Sequence, residues 1–299
     1  MKHFLSLEEH STNALKAILK RSEQLKSLRG DETHQPLKGQ TWALIFSKSS
    51  TRTRVSFEVG IRELGGRALF LSARELQLGR GEPIRDTARV LGRMVHGAVI
   101  RTFDHQELVD FAAYGKIPTI NALTDHAHPC QIMADILTVQ EKMGTIEDRV
   151  VAFIGDGACN VATSWVFAAS KFGFELRIAA PEGFRPNEAL LQRIGGNVRV
   201  TDDVRDAARG ADVLYTDVWV SMGMESEAEA REQTFQGFQI NDGVVREAKE
   251  SVLVMHCLPA YRGKEITDAV LEAHQQTVFD QAENRLHAQK GVICWLLDI

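Results

Sequence analysis

A short run of hydroxyl and guanidinium side chains carries the clearest chemistry in this sequence. The run is Ser50, Thr51, Arg52, Thr53 and Arg54. It follows the apolar segment Thr41–Ile45 and precedes a helical pattern, which predicts a strand, a turn and the first turn of a helix. Hydroxyls, guanidinium groups and the unpaired N–H groups of a helix N-terminus are the partners that a phosphate needs. We interpret the run as an anion site.

This run has two alternative interpretations. The spacing argues against a nucleotide P-loop, because Gly-x-x-x-x-Gly-Lys-Ser/Thr does not occur here and the turn has no glycine. The phosphate is therefore expected on a small molecule. The alternative without function is a Ser-capped helix with two solvated arginines. The remaining motifs of the chain argue against that alternative.

Length and composition describe an ordinary globular protein. The chain has 299 residues, of which 44% are hydrophobic and 25% are charged, and this length favours two domains. The net charge of −5 argues against a nucleic acid or a membrane surface as partner, so attraction for anions must come from local basic clusters. The candidates are Arg52, Arg54, Arg101 and Arg285.

The sequence also bears on location and on metal binding. It has no apolar run long enough to span a bilayer, and Met1–Ser6 lacks the features of a signal or transit peptide, so we expect a cytoplasmic protein. The cysteines are widely spaced and lack Cys-x-x-Cys pairs, which predicts free thiols and neither a disulfide framework nor a zinc site. They are Cys130, Cys159, Cys257 and Cys294.

Short apolar runs alternate with helical patterns along the whole chain, which predicts an α/β protein with two doubly wound parallel-sheet domains joined by interdomain helices. We place the domains at residues 1–143 and 144–283, with the boundary near Met143. A last strand is predicted at Thr277–Phe279. The C-terminal helix, 284–299, is expected to pack back onto the first domain. The polar loop Ala73–Glu82 follows a predicted strand, where α/β proteins bind ligands.

The turn Gly155–Asn160 follows a buried-looking strand and opens a helix, as a dinucleotide-binding turn does. Its third glycine is missing, although Glu182 lies near the position of a ribose-binding acid. A nicotinamide-dependent dehydrogenase therefore remains an open alternative.

Three further segments place polar side chains at predicted strand or helix ends. In His128-Pro129-Cys130-Gln131, proline starts a helix and puts His128 and Gln131 at an anion-facing N-terminus. Asp217–Gly223 and His256–Ala260 both follow strands. A Cys257–His256 nucleophile pair is doubtful, because adjacent residues on a strand point to opposite faces. Taken singly, a structural histidine and ordinary turns would explain these segments.

Together these segments resemble the ornithine carbamoyltransferases of the aspartate/ornithine carbamoyltransferase superfamily, over nearly the whole chain. The resemblance rests on Ser50–Arg54, Gln77–Glu82, Arg101, His128–Gln131, Asp217–Gly223 and His256–Pro259. It implies transfer of the carbamoyl group of carbamoyl phosphate to the side-chain amine of L-ornithine, giving citrulline and phosphate, with no metal or organic cofactor. It also implies a homotrimer in which the loop carrying Gln77 reaches a neighbouring subunit's site.

The resemblance assigns residues to each substrate. Those implied for carbamoyl phosphate are Ser50, Thr51, Arg52, Thr53, Arg54, Gln77, Arg101, His128, Pro129, Cys130, Gln131, Cys257, Leu258 and Arg285. Those implied for ornithine are Asn160, Asp217, Ser221 and Met222. The catalytic roles fall to Arg52, Arg101, His128 and Cys257. The division is physically sensible, because arginines suit a dianionic phosphate and Asp217 suits an ammonium group.

Two positions depart from the family pattern, and alternatives stay open. Cys159 precedes Asn160 where the family commonly carries a second Asn, and Tyr261 follows Ala260 where His is common.

No lysine or glutamate is an evident general base, so phosphate itself could accept the proton, with Cys257 as a polar neighbour of the amine. N-acetylornithine or putrescine could be the acceptor instead, and a catalytically silent, anion-binding regulatory subunit is a further alternative.

Overall fold

The computed structural model describes residues 1–72, 81–221, 223 and 225–299 of the chain. These residues form two compact units. The first unit comprises Met1–Leu137 and Glu283–Ile299, and the second comprises Thr138–Ala282. Gln77 and Met222, two of the predicted substrate contacts, lie outside the described residues.

The first unit is built on a parallel four-stranded sheet with the order β2-β1-β3-β4. Its strands are β1 (Thr41–Phe46), β2 (Arg67–Ser72), β3 (Gly97–Arg101) and β4 (Thr119–Leu123). Its helices are α1 (Thr12–Ser27), α2 (Thr51–Glu63), α3 (Ile84–Leu91), α4 (His105–Gly115) and α5 (Pro129–Met143), the last of which continues into the second unit. Helices connect successive parallel strands because such strands need crossover connections.

The register of this sheet brings Trp42 of β1 opposite Gly97 of β3. A Cβ atom at Gly97 would lie 2.5 Å from the indole ring of Trp42, so only glycine lets the fully buried indole cover the start of β3. This close packing fixes β1 against β3. The carboxyl ends of the two strands, Phe46 and Arg101, are therefore also paired.

The second unit is built on a parallel five-stranded sheet with the order β7-β6-β5-β8-β9. Its strands are β5 (Val150–Ile154), β6 (Glu175–Ala179), β7 (Val198–Thr201), β8 (Val213–Thr216) and β9 (Leu253–His256). Its helices are α6 (Asn160–Phe172), α7 (Glu188–Ile194), α8 (Val204–Ala208), α9 (Ala228–Thr234), α10 (Asp242–Val245) and α11 (Asp268–Ala273), followed by α12 (Gln275–Leu296), which continues into the first unit. A buried aromatic group of Phe153, Trp165 and Tyr215 packs on β5 and β8.

The predicted fold class is confirmed, since both sheets are parallel and bear helical crossovers. The predicted strand Thr277–Phe279 is wrong, because these residues lie inside α12. Three residues cannot show a helical period, and their β-branched and aromatic side chains imitate a strand. Within α12, Val278 is buried and Phe279 is exposed. Helices α9, α10 and α11 were not predicted.

The sequence-based domain boundary at Met143 falls on the last residue of α5, whereas the two units divide between Leu137 and Thr138 in the same helix. The C-terminal helix is also longer than the predicted segment, since it begins at Gln275. Among the described residues, no helix combines the length and the apolar composition that crossing a membrane requires.

Candidate active site

The first unit gathers basic side chains where β1 and β3 end. Ser50 caps α2, because its Oγ accepts a hydrogen bond from the Thr53 N–H at 3.3 Å. The N–H groups of the first turn of α2, which carries Thr51 and Arg52, therefore begin directly beyond the end of β1. Such a helix N-terminus attracts anions through its unpaired N–H groups and its dipole.

Arg285 of α12 is held at this helix start by two hydrogen bonds. Its Nη2 donates to the Thr53 Oγ1 at 2.9 Å, and its Nη1 donates to the Gln131 Oε1 at 2.6 Å. Gln131 in turn donates through Nε2 to the Asp135 Oδ1 at 2.8 Å. Arg285 is only 3% exposed. A guanidinium group fixed in this way is a preorganised partner for a phosphate.

His128 and Arg101 belong to the same cluster. Burial, followed by the positive charges of Arg285 and Arg101, holds the pKa of His128 well below its usual value of 6.5. At neutral pH the imidazole is therefore uncharged, and it can donate only one N–H group. Arg101, the last residue of β3, is buried although it is charged. We call Arg52, Arg101, His128 and Arg285 the basic cluster.

Arg52 differs from the other members of the basic cluster in its surroundings. Its side chain is half-buried, and no hydrogen bond or ion pair joins it to another described residue. A guanidinium on the first turn of a helix repels the positive end of the helix dipole. This arrangement costs stability in the free protein, and an anion bound at the same helix end would remove the cost.

Two residues predicted to contact phosphate are engaged elsewhere in the structure. The Arg54 Nε donates to the Glu58 Oε1 at 2.9 Å, and its guanidinium lies 3.6 Å from the centroid of the Phe70 ring. The Cys130 thiol is buried and donates to the Asn121 carbonyl oxygen at 3.3 Å. Burial raises the pKa of Cys130 to about 12. Pro129 starts α5 and so sets the direction of His128 and Gln131.

Lys48 was not predicted as a site residue, although it lies within the segment that opens α2. Its side chain is 5% exposed, its Nζ lies 2.5 Å from the Asp125 Oδ1, and the same atom lies 3.8 Å from the centroid of the Phe103 ring. A pocket of about 440 Å³ is lined by Lys48 and by its neighbours in the 46–51 segment. The type and position of the residue were visible in the sequence, whereas its burial was not.

The second unit gathers a different set of groups at the carboxyl ends of its central strands. Asp217 follows β8 and Cys257 follows β9, and β8 and β9 are neighbours in the sheet. The Cys257 thiol donates to the Asp217 Oδ1 at 2.9 Å, and the Val218 N–H donates to the same oxygen at 2.7 Å. Asn160 opens α6, which follows the adjacent strand β5. We call Asn160, Asp217 and Cys257 the acidic cluster.

Cys159 has a structural role at the start of α6. Its Sγ accepts from the Ala162 N–H at 3.4 Å and caps the helix. Burial, followed by the negative charges of Asp156 and Asp217, raises the pKa of Cys159 well above 9. The thiol therefore stays protonated at neutral pH. Cys159, which stands where the family resemblance implies a second Asn, thus serves as the cap of α6.

Arg231 of α9 was missed by the sequence analysis and organises the loops of the second unit. It is buried, forms an ion pair with Asp156 and donates through Nε to the Trp219 carbonyl oxygen at 2.7 Å. Burial raises the pKa of Asp156, and the charge of Arg231 opposes that shift. Arg231 thus joins the turn after β5 to the loop after β8. Its helix is short and polar, which in a sequence is typical of a solvated segment.

The turn after β5 is filled by the protein itself. A Cβ atom at Gly157 would lie 2.8 Å from the Ile178 side chain and 3.0 Å from the Phe184 carbonyl oxygen. Gly157 therefore permits close packing within the unit, and Gly155 has φ of +137°, so each glycine of the Gly-x-Gly pattern has a structural reason that needs no dinucleotide. Ser221, predicted to contact ornithine, is half-buried near the end of the loop after β8.

Comparisons with known proteins agree over the full chain. The carbamoyl-P binding domain of the aspartate/ornithine carbamoyltransferases matches residues 2–141, and their Asp/Orn binding domain matches residues 147–296. The ornithine carbamoyltransferase of Akkermansia muciniphila is 53% identical over 100% of this chain and 99% of its own length. The anabolic ornithine carbamoyltransferase of Pseudomonas aeruginosa is 48% identical, with 100% and 98% covered. The ornithine carbamoyltransferase structure from Pyrococcus furiosus superposes with a TM-score of 0.92 at 45% identity, covering 98% of this chain and 96% of that one.

Proposed function

Because the chain belongs to the aspartate/ornithine carbamoyltransferase family, we propose that it transfers the carbamoyl group of carbamoyl phosphate to the side-chain amine of L-ornithine, giving L-citrulline and phosphate. The observation that carries the proposal is the buried Arg285, held by Thr53 and Gln131 beside His128. A desolvated guanidinium at a helix N-terminus suits a phosphate dianion.

The basic cluster binds the phosphate and stabilises its departure. As the bond between the carbamoyl carbon and the phosphate oxygen breaks, negative charge grows on the leaving phosphate. Arg52, Arg101 and Arg285 therefore interact more strongly with the transition state than with bound carbamoyl phosphate. Ser50, Thr51 and Thr53 add hydroxyl groups at the start of α2, and Thr51 and Arg52 add backbone N–H donors.

His128 acts as a neutral hydrogen-bond donor. The pKa of His128 is held well below 6.5, so its imidazole carries no positive charge at neutral pH. The neutral ring polarises the carbamoyl oxygen by donating a hydrogen bond to it. Arg101 shares this role as a charged donor. Their contacts to the carbamoyl oxygen draw electrons away from the carbon that the amine attacks.

The acidic cluster holds ornithine. Asp217 pairs with the α-ammonium group, and Asn160 donates to the α-carboxylate. At neutral pH only about one side-chain amine in a few thousand is uncharged and nucleophilic, given a lysine-like pKa. The enzyme must bind or generate that form, and the released phosphate is able to accept the proton. Cys257, whose thiol donates to Asp217, is a polar neighbour of the amine, not a covalent nucleophile.

The assembly that we propose is a homotrimer with shared sites. Several apolar side chains of the first unit are exposed, among them Val55 on α2, Leu69 on β2 and Met94, which is 70% exposed. Strand β2 ends the described sheet, so its outer face is available for a second copy. The segment that carries Gln77 follows β2 in the sequence, and Gln77 would complete the site of a neighbouring subunit. The cytoplasmic location expected from the sequence remains a prediction.

The shared site has its own test. Inactive Gln77→Ala and Arg52→Ala proteins are unfolded, mixed and refolded together. If Gln77 acts in a neighbouring subunit, some hybrids regain an intact site and activity returns. Verified hybrids without activity would contradict sharing.

The proposed reaction is tested by a colorimetric citrulline assay with carbamoyl phosphate and a panel of amines. L-ornithine is expected to exceed N-acetylornithine and putrescine in kcat/KM by roughly tenfold to a hundredfold, because each analogue leaves one polar partner in the site, Asp217 or Asn160, without its ligand group. Phosphate release is measured in parallel, with the amine omitted as control. Equal or faster turnover of N-acetylornithine would refute ornithine as the substrate and leave the phosphate site intact.

A further inference from the structure

The turn after β9 has a backbone conformation that needs support. Leu258 has φ of +57°, in the left-handed region that residues with a side chain rarely occupy. This turn begins with Cys257, whose thiol donates to Asp217. The position of the Asp217 partner therefore depends on what holds Leu258 in place.

His256 holds the turn through its ring. The Leu258 N–H donates to the His256 Nδ1 at 2.8 Å, so Nδ1 carries no proton. The proton of the ring is therefore on Nε2, which lies 3.1 Å from the Glu265 Oε1 and donates to it. The imidazole is a neutral bridge between a backbone N–H on one side and a carboxylate on the other.

Glu265 anchors the other side of this bridge. Its Oε1 also accepts from the Tyr261 N–H at 2.5 Å, while its Oε2 is buried and has no hydrogen-bond partner among the described residues. His256 and Glu265 are buried, and their side chains are both 0% exposed. Burying a carboxylate with so few partners lowers stability relative to an apolar side chain of the same size. Packing alone therefore does not account for Glu265, whereas orientation of His256 does.

We propose that Glu265 and His256 are positioning residues for the carbamoyl transfer: Glu265 orients the His256 ring, the ring holds the Leu258 N–H, and the turn thereby keeps the Cys257 thiol on Asp217. The proposal rests on the proposed function, since Asp217 and Cys257 are assigned to the substrates there. Neither Glu265 nor His256 is among the residues assigned to a substrate. Their effect on the rate comes from the placement of the residues that are.

The first test compares two substitutions of Glu265. Glu265→Met keeps a similar volume and removes both acceptors, so the turn loses its anchor. We expect kcat/KM for ornithine to fall about 10- to 100-fold, the usual effect of a misplaced catalytic contact, with most of the loss in kcat. Glu265→Gln keeps an oxygen that accepts from both the His256 Nε2 and the Tyr261 N–H. It is expected to retain kcat/KM within about threefold.

The matched control is Asp212→Asn. Asp212 is another buried carboxylate of the second unit, but it lies at the amino ends of the strands, where it accepts from the Val150 N–H and pairs with Lys249 and Arg149. Its substitution is expected to lower the melting temperature and leave kcat/KM unchanged below that temperature. Glu265→Met is expected to show the opposite pattern, with little change in melting temperature. A folded Glu265→Met protein that keeps wild-type kcat/KM would overturn the positioning role.

A second variant and a direct measurement cover the case in which Glu265→Met does not fold. His256→Leu removes the bridge from its other end, and its loss in kcat/KM is expected to equal that of the double variant with Glu265→Met, because the pair acts as one unit.

Cys257-Leu258 is the only Cys-Leu dipeptide in the sequence, so labelling cysteine carbonyl carbon and leucine nitrogen isolates one amide signal by NMR.

The Leu258 amide proton is expected to exchange slowly in the wild-type protein and at least about tenfold faster in Glu265→Met or His256→Leu, because a broken hydrogen bond exposes it to solvent. Slow exchange in the variants, or wild-type kcat/KM in His256→Leu, would overturn the proposal. The NMR measurement needs no turnover. The wild-type protein could fail to make citrulline while its Leu258 amide proton still exchanges slowly. That result would contradict the proposed function and not the His256–Glu265 bridge.

Discussion

The basic and acidic clusters are built on the same backbone plan and carry opposite chemistry. Both lie where parallel strands end and helices begin. In the first unit the nearby charges are arginines, and they lower the pKa of His128 together with burial. In the second unit the nearby charges are carboxylates, and they raise the pKa of Cys159 together with burial. In both units the carboxyl ends of the parallel strands form the ligand-binding edge of the sheet, and the side chains at that edge determine which ligand binds.

This contrast predicts that substitutions in each cluster affect different substrates. Loss of a cation from the basic cluster weakens the binding of carbamoyl phosphate. Loss of the carboxylate from the acidic cluster weakens the binding of ornithine. Four substitutions, taken from the largest expected effect to the smallest, either break this separation or define it more closely.

Arg52→Ala is expected to have the largest effect. Loss of a charge-assisted hydrogen bond to phosphate costs about 1.5–3 kcal/mol, so kcat/KM for carbamoyl phosphate should fall at least roughly 10- to 150-fold. Circular dichroism should show an intact fold, because the Arg52 side chain has no hydrogen bond or ion pair to another described residue. Arg62→Ala is the control, since it removes the same charge from the exposed far end of α2 and should change kcat/KM less than about twofold. Equal losses in both variants would remove Arg52 from the phosphate site.

Asp217→Asn is expected to lower kcat/KM for ornithine by roughly tenfold to a hundredfold, because the α-ammonium loses its charged partner. The same substitution should harm N-acetylornithine much less, since that amine lacks the positive charge. The ratio of kcat/KM for ornithine to kcat/KM for N-acetylornithine therefore decreases. Steady-state kinetics with both amines measures this ratio. An unchanged ratio would mean that the α-ammonium of ornithine does not pair with Asp217.

His128→Asn is expected to weaken the acid sensitivity of the fold. The folded pKa of His128 lies below its unfolded value of 6.5. Above that value neither state binds the proton, and below it the unfolded chain does so first, which lowers stability by about 1.4 kcal/mol per pH unit. The drop in melting temperature between pH 7.5 and 5.5 should therefore be about 2–4 °C smaller in the variant. Identical drops would mean that folding does not lower the pKa of His128, which would contradict its burial among positive charges.

Cys130→Ala is expected to have the smallest kinetic effect. The thiol is buried and donates to the Asn121 carbonyl, so the substitution should change the KM for carbamoyl phosphate less than about threefold while lowering stability by about 1 kcal/mol. Initial-rate and melting measurements check both values. A large rise in KM would instead support the contact between Cys130 and carbamoyl phosphate that the family resemblance implies.

The sequence was most informative where the chain is regular. Alternating apolar and helical patterns predicted the parallel α/β fold class, and the strand predicted before the Ser50–Arg54 run is β1. The resemblance to the family is confirmed by the matches to both domains. The role of each site residue stays a prediction.

The parts that escaped prediction depend on tertiary contacts. Nothing local distinguishes Arg54, which stacks on Phe70, from Arg52 two residues earlier. Arg231 is polar and lies on a polar helix, yet it is buried by Phe184 and Asp156 from distant segments. Burial of a charge is decided by which segments fold over it, and a local pattern does not contain that information.

Direct binding of carbamoyl phosphate tests the separation of the two clusters most directly. Calorimetry at low temperature, without ornithine, compares the wild-type protein with Arg52→Ala and Asp217→Asn. We predict that Asp217→Asn binds carbamoyl phosphate with wild-type affinity and that Arg52→Ala binds it at least roughly tenfold more weakly. Equal weakening in the two variants, or no weakening in Arg52→Ala, would contradict the assignment of the phosphate to the basic cluster.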